Sequence, residues 1–430
     1  MKRHFNLIIW TLLLLINSCK EVPKKITDSK DYNVYLTPIE NEMLQLTQKD
    51  FKFWEEKLEK EPTQFPYMVK AAASQSQLFK ETGHIEALIQ AEQKLIQANE
   101  KTNYNMPGYL RALARNYISQ HKFKESLALL KKAEIIGEGL NGTQKMLFDV
   151  YLELGNIDKA KTYLSKIENY NDFDFLIRLS KWSDHNGDLD KAILYLEKAT
   201  QMVESSRDTW LMQWAYTNLA DFYGHNGQIS EAYQHYLKTL KLNPNDAYAK
   251  KGIAWIVYSY ERNPKEALRI LDSIMMQHKS PDYYLLKAEI AEYMNDNDAK
   301  QNYLELYFSE VEKDEYGTMY NAYNAILYTE DLNNIKEATN IALTEIKNRP
   351  TPQSYDLLAW AYFNYGDAKE ALQIMEEHVA NKTYSPETLF HLAEVYKANG
   401  KVKEAKDLKE ELLKSTFELG PLMEQRINNI

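Results

Sequence analysis

Along almost the whole chain, apolar residues recur three and four apart, in runs of about a dozen residues separated by short polar turns. That spacing gathers side chains on one face of a helix. In residues 213–246, Tyr216, Leu219, Ala220 and Tyr223 form one stripe. Gly227 follows in a turn, Ala232 and Tyr236 lie on a second stripe, and Pro244 closes the stretch. The pattern predicts two antiparallel helices. Ala220 and Ala232 are small enough for the pair to approach closely. Gly227 supplies a permissive backbone between the helices, and Pro244 stops the second one.

The unit returns. Leu113-Ala114 and Tyr117 precede Ser126; Leu147-Phe148 and Tyr151 precede Gly155 and Ala160; Leu179-Ser180 precedes Gly187 and Ala192. Ile253-Ala254 precedes Ala267, Leu358-Ala359 and Tyr362 precede Gly366 and Ala371, and Leu392-Ala393 and Tyr396 precede Gly400 and Ala405. Weaker copies carry Ala288 with Ala299, and Ala338 with Ala342 and Pro350; a degenerate one spans residues 65–100, with Gly83 in its turn and Ala87 opening its second helix. The period averages about 34 residues. This order of aromatic, Leu-small, Tyr, Ala, aromatic and Pro resembles the tetratricopeptide repeat. The resemblance implies an all-α, right-handed α-solenoid of tandem helix-turn-helix units, about ten of them over residues 65–419, each burying its stripe only by stacking on its neighbours. A charged helix over 41–64, with Leu44, Phe51 and Trp54 before Glu61-Pro62, is expected to cap the array. Residues 401–419, rich in Lys and Glu, give the last unit a polar face, and 420–430 reads as a C-terminal tail.

The first residues differ in kind. Lys2 and Arg3 precede an apolar run from Phe5 to Ile16, then Asn17, Ser18 and Cys19. The run is shorter than the ~20 residues a spanning helix needs. Its basic-then-apolar order is that of a secretory signal. Ile16, Ser18 and Cys19 resemble the cleavage box of a bacterial lipoprotein, with Asn17 departing from the usual small residue. The resemblance implies that residues 1–18 are a signal peptide and that Cys19 is lipidated; an ordinary signal with an incidental cysteine is the other reading. Lys20, in place of the Asp that marks inner-membrane retention, points to the outer membrane. A lipid-anchored protein of the cell envelope is therefore expected, with residues 19–40, which include Pro23, Asp28 and Pro38, as a flexible tether.

A formal charge of −10 argues against nucleic acid as a partner. Cys19 is the sole cysteine, which excludes disulfides within the chain and any Cys-based zinc site. His84, His121, His185 and His225 fall at turns rather than in a cluster, and no His-Glu-x-x-His occurs. Asp184, Asn186, Asp188 and Asp190 alternate like a calcium loop, but Leu189 and Tyr195 stand where Gly and Glu are required. Gly137, Gly139 and Gly142 are followed by no Lys-Ser or Lys-Thr pair, so they form no phosphate loop. No enzyme, metal or cofactor is expected.

In proteins of this type the first helix of each unit lines a concave groove. Positions off the packing stripe are Trp214, Thr217 and Asp221; Lys251, Trp255 and Tyr258; and Asp356, Trp360 and Phe363; near the start they are Arg111 and Arg115. Aromatic and Arg side chains dominate interface hot spots. The same spacing also suits tryptophans packed against a neighbouring helix, and a solvated face for the two arginines. The expected function is an interaction scaffold or assembly factor holding a protein or peptide in the groove. The alternative is an outer-membrane lipoprotein capturing glycan or peptide nutrients, although the units leave no room for the long insertions that build such sugar sites.

Overall fold

The computed structural model describes residues 25–37 and 40–430. Cys19, the expected signal peptide and the start of the expected tether lie outside the described residues. Helix α1 (Ser29–Leu36) is followed by α2 (Glu42–Lys60). Ten helix pairs come next. The first five are α3 (Phe65–Thr82) with α4 (Ile85–Lys101), α5 (Pro107–Ser119) with α6 (Phe123–Ile136), α7 (Leu140–Glu153) with α8 (Ile157–Lys166), α9 (Phe173–His185) with α10 (Leu189–Ser206), and α11 (Thr209–His225) with α12 (Ile229–Leu242). In the sixth, α13 (Ala247–Trp255) runs into a π-turn (Ile256–Tyr260) before α14 (Pro264–Met275). Then come α15 (Asp282–Tyr293) with α16 (Asn297–Val311), α17 (Asn321–Glu330) with α18 (Ile335–Asn348), α19 (Pro352–Tyr365) with α20 (Ala368–His378), and α21 (Pro386–Ala398) with α22 (Val402–Leu412). A last helix, α23 (Thr416–Asn428), follows. The fold is an all-α repeat solenoid.

Every pair turns through one left-handed residue. Six are glycines: Gly83, Gly155, Gly187, Gly227, Gly366 and Gly400; the other four are His121, Arg262, Asn295 and Asn333. The second helix then starts on an Asn or Asp cap in six units, with Asn156, Asp188, Asn263, Asp296, Asn334 and Asp367 each accepting from a backbone N–H in the first turn. Asp188 is such a cap and Gly187 the turn residue before it, which accounts for the alternating acidic stretch. The small residues expected where the helices meet, Ser126, Ala160, Ala192, Ala232, Ala267, Ala338, Ala371 and Ala405, are buried. In the first unit Leu88, not Ala87, takes that buried place, and Ala299 of the seventh unit is only half-buried. The Gly137–Gly142 region makes room for Arg111. A Cβ on Gly139 would lie 2.7 Å from the Arg111 guanidinium, which donates to Glu138 O at 2.9 Å and Thr143 Oγ1 at 3.1 Å.

The solenoid closes on itself. The turn of the first unit meets the loop after the sixth, where Lys279 N donates to Thr82 O at 2.8 Å. The second and third meet the loop after the eighth: Arg349 lies 5.7 Å over the Phe123 ring, and Pro350 O approaches Gly155. At the fourth, the Tyr384 ring lies flat over Gly187; at the fifth, Phe417 fills the space beside Gly224. These contacts join units far apart in sequence, so this solenoid is not held by neighbour contacts alone.

Both ends depart from the expectations. Residues 25–37 are no flexible tether. Glu261 accepts from Ile26 N at 2.8 Å, Thr27 N at 2.6 Å and Thr27 Oγ1 at 3.0 Å. Tyr32 is 2% exposed and donates to Glu266 at 2.8 Å, while Ser273 donates to Leu36 O. A short polar segment with two well-placed apolar residues is thus strapped across α12 and α14, the outer helices of units five and six. At the other end, residues 420–430 are no free tail, and the repeats end at Leu412 rather than 419.

Candidate functional site

The inner helices of units five to ten converge on α23. This helix is broken at Gly420-Pro421: Gly420 has φ 82° and ψ 170°, a conformation only glycine adopts easily. A Cβ there would stand 2.8 Å from Glu289 Oε1 and 3.1 Å from the Trp255 ring. Just before the break, the Phe417 carbonyl accepts from Trp255 Nε1 at 3.0 Å and from Ser259 Oγ at 2.6 Å. After it, Glu424 pairs with Arg262. Two residues further, Arg426 forks onto Glu330 with contacts of 3.0 and 3.1 Å, and lies 4.8 Å over the Phe390 ring. Ile427 is fully buried in the cluster that contains Trp360 and Phe390.

Two features of the sixth unit shape this site. The π-turn adds a residue to the inner helix, which places Trp255 and Ser259 together beneath one carbonyl. The left-handed Arg262 then sends its guanidinium into the groove. Its Nη1 is buried and has no hydrogen-bond partner among the described residues.

Electrostatics follow from burial. It pushes the Glu289 carboxyl up to about 7, with Glu292 and Glu387 adding to the effect and the Tyr258 hydroxyl, which donates at 3.1 Å, opposing it. Burial also pushes Glu330 up, but the Arg426 hydrogen bonds and charge outweigh it and hold this carboxyl below its usual range. His391 Nδ1 lies 2.9 Å from Asp356 Oδ2 deep in unit ten; burial disfavours its charge, yet the Asp356 carboxylate raises its pKa.

The structure brings Trp255, Tyr258, Trp360 and Phe363 together around α23 and leaves the other candidates apart. Trp255 touches α23 directly. Tyr258 is not open to a groove occupant: it is fully buried and spent on Glu289. Trp360 is 3% exposed, donates to Glu330 at 2.9 Å and stacks on His391 at 4.0 Å and on Phe363 at 5.2 Å. Asp356 is likewise buried against His391. Thr217 is buried and bonds back to Gln213 O and Trp214 O. For these four residues the groove expectation is corrected, because inner helices pack flank to flank and sequence spacing does not show which flank is covered. Asp221 accepts from Tyr236 at 2.5 Å and Tyr248 at 2.6 Å, and burial raises its pKa. Lys251 pairs with Asp282 at 3.6 Å. Trp214 is 39% exposed beside Phe173, Arg111 ties down a loop, and Arg115 is exposed.

Sequence reasoning missed Ser259, Arg262, Glu289, Glu330 and all of α23. It also missed a charged ladder on the inner helices of units three and four, where Arg178 meets Asp149 at 2.6 Å and Lys181 meets Glu153 at 2.8 Å. Asp149 and Lys181 hold the register position of Asp221 in their own units, a signal that was available. For α23 the Gly420-Pro421 break was the only local mark.

A family model described as the tetratricopeptide repeat matches residues 215–246, the fifth unit. No curated protein matches the chain by sequence. Among solved structures, the chain is similar to that of Pseudomonas aeruginosa PilF at 18% identity, covering 49% of this chain and 94% of that one, with a TM-score of 0.37. A tetratricopeptide repeat protein from Parabacteroides merdae matches at 17% identity over 56% and 93% of the two chains, TM-score 0.34. Yeast Tom70 matches at 15% identity over 94% and 95%, TM-score 0.37.

Proposed function

We propose that this protein is a lipid-anchored scaffold or assembly factor of the bacterial cell envelope, held at the outer membrane through Cys19 and receiving a protein or peptide partner in its concave groove. The anchor rests on the basic, apolar and Ile16-to-Cys19 pattern of the first residues. The groove reading rests on one observation: side chains from units six and eight converge on a peptide segment and satisfy its main-chain carbonyl, its acid and its base. Such convergent polar groups over an aromatic floor are what peptide recognition requires.

Two measurements test the two halves. Cells fed an alkyne-bearing fatty acid should label the wild-type chain and not Cys19→Ser; equal labelling removes the anchor. Crosslinking in cells, followed by purification of the tagged chain, should enrich defined proteins, and Trp255→Ala should lose them while remaining folded. Absence of any enriched protein removes the scaffold. The nutrient-capture alternative is favoured by one feature, the half-exposed pair Trp210 and Trp214 at the start of α11. Titration with oligosaccharides while recording tryptophan fluorescence decides it.

A further inference from the structure

We propose that α23 is a resident stand-in for the groove's partner, and that the partner is a peptide segment with the same chemistry: a main-chain carbonyl freed at a break in a helix, a carboxylate seven residues later and a guanidinium nine residues later. In this chain those three groups are Phe417 O, Glu424 and Arg426. The proposal rests on the scaffold reading and specifies what that scaffold recognises.

Four observations carry it. First, the contacts go beyond those of an eleventh repeat. The helix packs on both helices of unit ten, as a next unit would, and it also crosses the inner helices of units five to eight, which a stacked repeat would not reach. Second, the groove side is specific. Trp255 and Ser259 offer two donors to one acceptor, Arg262 requires a carboxylate, and Glu330, fixed by Trp360, requires a cation. Third, the fit is incomplete. Arg262 Nη1 is buried without an acceptor among the described residues, so a partner offering one more oxygen gains a bond that α23 does not make. Fourth, α23 is poorly anchored for a core element. Gly420, Pro421 and Ile427 are its fully buried residues, Phe417, Leu419 and Met423 pack half-buried, and both ion pairs reach solvent. Helices with few fully buried side chains are the ones that open locally.

The undocking variants follow from the geometry. Gly420→Ala places a Cβ against Glu289 and Trp255 in a backbone conformation alanine resists. Arg426→Glu sets two carboxylates face to face, and adding Glu330→Arg restores an opposite pair with its polarity reversed.

The probe is a fluorescein-labelled synthetic peptide of residues 415–430, titrated by anisotropy against full-length chains whose helix content is checked by circular dichroism. Folded Gly420→Ala and Arg426→Glu chains should bind it one to one, at least tenfold tighter than wild type does. The Arg426→Glu, Glu330→Arg double variant should reject it again. If both folded single variants bind no better than wild type, and amide exchange over 416–428 in wild type is as slow as in the buried inner helices, α23 is a permanent part of the fold and the proposal is wrong. Cellular crosslinking of the same variants separates this from the scaffold reading. Partners captured equally by wild type and Arg426→Glu leave the scaffold standing and overturn the stand-in. Peptide binding by the variants with no cellular partner shows that α23 detaches, but it removes the scaffold and with it the partner that α23 would stand in for.

Discussion

At the residue scale, two positions show how local physics settles what a side chain can do. Gly366 turns between α19 and α20 at φ 98°, and a Cβ there meets nothing within 4 Å. Backbone strain is therefore the whole effect of Gly366→Ala. A loss of about 1 kcal/mol is expected, the left-handed penalty less the entropy that alanine removes from the unfolded chain. Urea denaturation measures it, and an unchanged midpoint contradicts the strain argument. Glu289 is the electrostatic case. Its pKa in the fold, about 7, lies above that of the unfolded carboxyl, so the folded chain binds the proton more tightly. The stability it contributes is present below the unfolded pKa and is lost as pH rises through about 7. The denaturation midpoint of wild type should thus fall relative to that of Glu289→Gln between pH 5 and pH 8. Parallel profiles would show that Glu289 is ionised throughout. Neither role is written in the sequence. The first needs a backbone angle; the second needs burial beneath α23 and the charge of Glu387, which come from distant segments.

At the element scale, the helix pairs were legible and the terminal segments were not. A repeat unit advertises itself because its stripe, its turn residue and its small contact residue all fall within about 34 residues. Residues 25–37 carry no such pattern. They are ordered because Glu261, more than two hundred residues away, collects three hydrogen bonds from Ile26 and Thr27. Replacing that carboxylate removes charge-assisted bonds worth about 1.5–3 kcal/mol each. Glu261→Ala should release the strap, raising exchange at the Ile26 and Thr27 amides about tenfold or more while the repeats keep their protection. Hydrogen exchange read by mass spectrometry checks this, and unchanged protection would mean that Tyr32 and Leu36 hold the strap alone. The tryptophans show the same limit. Their spacing placed Trp255 and Trp360 on inner helices, but whether each meets solvent, a neighbour or α23 depends on the packing of two further elements.

At the scale of the whole molecule, closure changes how the chain should unfold. An open array breaks repeat by repeat, since each unit contacts only its neighbours. Here Arg349, lying over Phe123 and 3.9 Å from Glu153, and Tyr384, lying over Gly187, tie the second half of the array to the first. Arg349→Ala combined with Tyr384→Ala should lower the dependence of unfolding free energy on denaturant and broaden the transition, as the halves uncouple. X-ray scattering on the same protein should show a larger radius of gyration. If both quantities stay at the wild-type values, the closing contacts add nothing to neighbour stacking.

What the sequence by itself determined was what repeats: helix after helix, most of the turns, most of the small residues between paired helices and the number of units. Those features are set by contacts within a unit or with the next one, and such contacts leave a period in the chain. Only the tertiary structure decided the curvature that brings the turns of units one to five against later loops, the strap across units five and six, and the filling of the groove by α23. Each of these depends on the summed small rotations between many units, which bring together residues more than a hundred positions apart and impose no local pattern on any of them.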